Sequence, residues 1–93
     1  MNKKEILNIL AEYDITENEI IEDFKEYCFA NRVNYNYPIS YESVNDYIMF
    51  CYYDIFDNIE DYSNGVDNMI LKDEILSLIE NIIYDDFNID MED

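Results

Sequence analysis

The chain has 93 residues, a size suited to one domain with a modest core. Apolar residues make up 49% of it, enough to fold, yet 23 Asp and Glu stand against 5 Lys and Arg, a net charge of -18. That charge disfavours nucleic acid and anionic lipid as direct partners. One Gly and one Pro argue against a turn-rich β-sandwich or barrel.

The charge is uneven. Residues 1–32 hold eight acids and four bases, whereas residues 33–93 hold fifteen acids and one base, Lys72. Solubility alone calls for a net charge of about 2–8 in a small domain. The excess repels itself and costs stability, so a use in binding a basic partner is expected.

In chain order, residues 2–13 predict a first helix, with Ile6, Leu7, Leu10 and Tyr13 on one stripe. Thr16-Glu17-Asn18-Glu19 reads as a capping box that opens a second helix over 17–31. Ile20, Ile21, Phe24, Tyr27 and Cys28 would face inward. Residues 32–39 alternate, and Tyr37 precedes Pro38, which drives it away from helix. The segment is read as an extended loop, with a short edge strand as the alternative. Ser40 or Ser43 would cap a third helix over 41–62, with Val44, Ile48, Cys51, Ile55 and Ile59 inside. Ser63-Asn64-Gly65 is a stop signal, and Asp67 can cap a fourth helix over 68–84. The inner face of that helix would be Leu71, Ile75, Leu78, Ile79, Ile82 and Ile83. The expected fold is therefore an all-α compact bundle of four amphipathic helices over residues 1–84, followed by a frayed acidic tail at 85–93.

Chemistry of the catalytic kind is not expected. The chain has no His, the common general base near neutral pH. Cys28 and Cys51 sit on apolar helix faces, where a thiol acts as a small hydrophobe. Asp86-Phe87-Asn88-Ile89-Asp90 matches the first ligand positions of a calcium loop, but Met91 stands where Gly is needed. No metal or cofactor site is expected. Met1-Asn2-Lys3-Lys4 leads into an amphipathic segment rather than a continuous apolar one, and no run approaches the roughly 18 apolar residues of a membrane span. Together with two unpaired-looking cysteines this predicts a cytoplasmic location.

Two features point to binding. On a helix over 41–62, Glu42, Asp46, Asp57 and Glu60 fall within an arc of about 60°, with Asp54 and Asp61 beside it. No base lies between Val33 and Leu71 to neutralise this row. Neighbouring carboxylates there would stand about 5–6 Å apart, comparable to phosphates along a strand. The second feature is tyrosine, ten in all, with Tyr41, Tyr47, Tyr52, Tyr53 and Tyr62 in the third helix. Tyr52, Tyr53 and Tyr62 are the candidate anchors, because tyrosine gives a rigid amphipathic contact and stacks on arginine.

This composition resembles that of the phage-encoded acidic DNA-mimic inhibitors, the anti-CRISPR and anti-restriction proteins. The chain is also similar to the helical colicin-type immunity proteins. That likeness rests on Ile15-Thr16, Glu19, Phe24 and Tyr27, then Asp54-Ile55-Phe56, then Leu71-Lys72-Asp73-Glu74-Ile75-Leu76-Ser77-Leu78-Ile79. Both resemblances imply an acidic decoy that covers the basic nucleic-acid groove of an enzyme, either a defence nuclease or a nuclease toxin. An acidic adaptor, or a homodimeric assembly protein, is the reading from a different class.

Overall fold

The computed structural model describes residues 2–56 and 68–90. They form four helices, α1 (Lys3–Glu12), α2 (Glu17–Ala30), α3 (Tyr41–Cys51) and α4 (Asn68–Asp86), and two short strands, β1 (Ile39–Ser40) and β2 (Ile89–Asp90). The molecule is mostly helical, and its only sheet among these residues is the two-residue parallel pair β1–β2.

The caps explain where the first helices begin and end. Asn2 accepts a hydrogen bond from the Glu5 amide at the start of α1, and Thr16 accepts one from the Glu19 amide at the start of α2. Both helices close in the same way. The Asp14 and Ile15 amides return to the carbonyls of Ala11 and Leu10, and the Arg32 and Val33 amides to those of Phe29 and Cys28. This double closure requires a left-handed residue after the cap. Asp14 (φ 61°) and Arg32 (φ 58°) supply it without being glycine, at a cost of about 1–2 kcal/mol each. Ile15 and Val33 then turn inward against the core.

The core is organised around α4, which packs against α1, α2 and α3. Leu71, Ile75, Leu78, Ile79, Ile82 and Ile83 are all buried, as the apolar stripe predicts. They meet Ile6, Ile9 and Leu10 of α1, Ile20, Phe24 and Cys28 of α2, and Val44, Tyr47 and Ile48 of α3 in one cluster. No helix among the described residues is long and apolar enough to cross a membrane.

Two expectations need correction. The third helix ends at Cys51 rather than continuing to 62. The Tyr52 and Tyr53 amides both return to the Ile48 carbonyl, and the Ile55 amide returns to Tyr52. The reason lies in the aromatic residues. On a continuous helix Tyr52 would point about 140° away from Tyr47. Breaking the helix lets Tyr52 fold back onto Tyr47, and lets Phe56 sink beneath Tyr13 with rings 5.2 Å apart. Two aromatic rings bury more apolar area than Ile55 does. Ile55, expected inside, is accordingly 44% exposed. Ile59, the Ser63-Asn64-Gly65 stop and the Asp67 cap lie outside the described residues.

The second correction concerns 85–90 of the segment 85–93, read from sequence as a frayed tail; residues 91–93 lie outside the described residues. Helix α4 runs on to Asp86, and Phe87 packs edge-on against Phe24 (5.0 Å) and Tyr35 (5.9 Å). Ile89 then pairs with Ile39, whose amide donates to the Asn88 carbonyl. The segment 87–90 thus ties the end of α4 to the beginning of α3, where Ser40 is the N-cap.

Candidate functional site

The described acids lie outside the core, which contains no buried polar or charged residue. The question is therefore which carboxylates share a surface. On α3, Glu42 and Asp46 are exposed and one turn apart, about 6 Å along the axis. Asp54, expected to extend that row, is exposed on the turns after α3 and does not continue a helical stripe. Asp57, Glu60, Asp61 and Tyr62 lie outside the described residues. The carboxylate row of a single long helix is thus cut at Cys51.

The acids of α2 take up part of that role. The Tyr47 and Tyr52 hydroxyls lie between α2 and α3, bonded to each other at 2.8 Å, with Tyr47 also reaching the Ile20 carbonyl at 3.5 Å. Burial pushes both phenols up, Tyr52 to about 12, and the Asp23 carboxylate adds to the rise in each. Glu19 acts on Tyr52 in the same sense. Burial raises Tyr27 too, followed by the charge of Asp46. Glu19 and Asp23 lie on α2 and Asp46 on α3, and all three are exposed.

The tyrosine anchors fare differently from expectation. Tyr52 is 4% exposed and belongs to the core, where its ring meets Tyr47 at 5.4 Å. It cannot reach a partner. Tyr53 is 39% exposed, but the Lys72 ammonium sits 3.4 Å from its ring centre and occupies one face. Lys25 is likewise engaged, with Glu22 at 3.7 Å.

Sequence reasoning missed the aromatic residues that do face solvent. Phe29 is 85% exposed at the end of α2, and Phe50 84% exposed near the end of α3. A signal was available. On a wheel of α2, Phe29 lies about 180° from Ile20, and Phe50 lies outside the stripe of Val44, Ile48 and Cys51. Beside Phe50, a groove of about 380 Å³ is lined by Tyr27, Ala30, Asn31 and Asp46 as well.

The thiols do not form a reactive site. Burial raises both Cys28 and Cys51, and Asp23 raises Cys51 further, which keeps them protonated near neutral pH. Among the described residues, no three His, Cys, Asp or Glu side chains converge to hold a metal ion.

No protein-family profile matches the chain, and comparison with characterised proteins and with solved structures yields no similar protein.

Proposed function

We propose that this chain is an acidic, non-catalytic inhibitor. In this reading a compact, essentially all-α bundle presents carboxylates to the basic nucleic-acid groove of a bacterial defence nuclease, such as a CRISPR-Cas or restriction complex, and excludes DNA or RNA from it. The observation that carries the reading is the α2–α3 seam. Exposed acids stand on both helices, Glu19 and Asp23 on α2 and Glu42 and Asp46 on α3, on a chain of net charge -18. Such a surface steers a cationic partner at long range and loses strength with salt. The partner is a basic protein of the bacterial cytoplasm. Neither nucleic acid nor membrane is bound directly, and no cofactor takes part.

The second reading, an immunity protein against a nuclease toxin, is favoured by Phe29 and Phe50. A phosphate mimic acts through many small charge contacts, whereas a toxin-neutralising protein concentrates affinity in a few residues. An acidic adaptor or assembly protein is the third.

The test is cellular. The chain is expressed in bacteria that carry an active CRISPR-Cas or restriction system and are challenged with a targeted phage. The proposal expects plating efficiency to rise by orders of magnitude. Rescue from a co-expressed nuclease toxin, with no effect on phage plating, selects the immunity reading. No protection in either assay rejects both.

A further inference from the structure

Phe29 and Phe50 stand almost wholly in water. Leaving a phenylalanine exposed forgoes the stabilisation of burying its ring, and a single such residue needs no explanation. Each of these two borders a hollow, and the two hollows share Ala30. The groove beside Phe50 has Ala30 in its floor, and so has a second hollow of about 630 Å³ beside Phe29, lined also by Val33 and Tyr35. Ala30, with its small side chain, is the saddle between them. Fully covering two phenylalanines removes about 150–250 Å² for each ring. That is roughly half of the 800 Å² or so that one partner contributes to a standard interface.

We infer that this saddle docks a basic, amphipathic segment of a partner protein, its apolar side chains lying over Ala30 from Phe29 to Phe50 and its Lys or Arg groups at the Phe50 end, against Asp46 and away from Arg32. Charge selects the occupant. Asp46 forms part of the groove wall, Glu42 stands one turn before it on α3, and Glu26 lies one turn before Ala30 on α2. A second copy would bring a net -18 against -18, with Arg32 the single base among the residues that line the two hollows. At physiological salt the screening length is about 8 Å, so facing charges at contact still repel, less strongly as salt rises. The arrangement is that of an interface hot spot, with apolar anchors at the centre and charges around them. This deepens the proposed function and rests on its premise of a basic partner, adding where the affinity resides.

The test uses the full chain and two synthetic probes of equal positive charge. One is a 14-residue amphipathic peptide of Leu and Lys, and the other an oligolysine. Amide shifts are followed on titration. The expected result is that the Leu/Lys peptide moves Phe29 to Arg32 and Asp46 to Phe50, and binds at least tenfold more tightly than oligolysine. The double variant F29S/F50S should reduce that preference to twofold or less with its thermal midpoint unchanged, since neither side chain supports the core. D46N should weaken both probes by a few-fold. Equal binding of the two probes, shifts spread over all the acids, or a preference that survives F29S/F50S would overturn the inference. So would a dimer seen by sedimentation that F29S/F50S dissolves, because the occupant would then be a second copy. The two proposals fail separately. If F29S/F50S still protects phage in full, the saddle is dispensable and the inhibitor reading stands. If the saddle binds the Leu/Lys peptide but neither phage nor toxin assay responds, the surface stands and that reading falls.

Discussion

The interior holds Tyr47 and Tyr52, whereas Phe29 and Phe50 lie outside, the reverse of what polarity alone suggests. The buried pair is stable because each hydroxyl has a partner, with Tyr47 and Tyr52 bonded to each other at 2.8 Å. A buried polar group costs little once it is hydrogen-bonded, and the rings contribute their full apolar area. Phe29 and Phe50 gain nothing comparable in the isolated chain. Position on the helix decides the difference. Tyr47 lies on the stripe that faces Phe24, at 5.1 Å between ring centres, while Phe29 lies on the far side of α2. The buried tyrosines thus hold α2 and α3 together, and the exposed phenylalanines take no part in that packing.

Four substitutions or conditions separate the two sets. The largest effect should come from Tyr47→Ala, which removes a ring with no exposure and leaves the Tyr52 hydroxyl unpartnered. A loss of about 3–5 kcal/mol is expected, read from urea unfolding. Tyr47→Phe keeps the ring and removes only the hydroxyl. Its cost should be about 1–3 kcal/mol, from the unsatisfied group left on Tyr52. By contrast Phe29→Ser and Phe50→Ser should each change stability by less than about 0.5 kcal/mol in the same assay. A loss of more than 1 kcal/mol at Phe29 would mean that its ring packs in solution and is not a free anchor.

The alkaline limb sharpens the comparison further. Tyr52 and Tyr84 are each pushed up to about 12, by burial first, with the Glu80 carboxylate that accepts from Tyr84 at 2.6 Å adding to the second. A raised tyrosine favours its protonated form in the folded state. Its contribution is therefore complete below the unfolded value of about 10 and is lost as pH climbs through 12. The folded fraction monitored by circular dichroism should be flat from pH 7 to 9 and fall between 10 and 12. In Tyr52→Phe the fall should be shallower.

An effect of the opposite sign concerns the helix ends. Arg32→Gly relieves the left-handed strain at φ 58° and should raise stability by up to about 1 kcal/mol, seen as a higher thermal midpoint.

Much of this architecture was legible in the residues, and the failures have identifiable causes. The α4 stripe was readable because Leu71, Ile75, Leu78, Ile79, Ile82 and Ile83 repeat at three and four. The Thr16 cap was readable because its spacing to Glu19 is local. The end of α3 was not. It depends on Tyr52 and Phe56 meeting Tyr47 and Tyr13, contacts between distant turns that carry no periodic signature. Nor was β2, because two residues of ladder leave no alternation to detect and Phe87 is anchored by Phe24, more than sixty residues earlier. Of the expected site residues, Glu42 and Asp46 are exposed on α3 whereas Tyr52 is buried, and the one-helix wheel could not foresee that burial because it comes from the break after Cys51.

The most direct measurement of the central claim is displacement of a fluorescent 20-base-pair duplex from purified bacterial nucleases and CRISPR-Cas complexes. Release from at least one of them is expected at near-stoichiometric chain, with weaker release as salt rises and at least a tenfold loss of potency in E42K/D46K. Duplex retained by every enzyme at excess chain, or equal release by the charge-reversed variant, would contradict it.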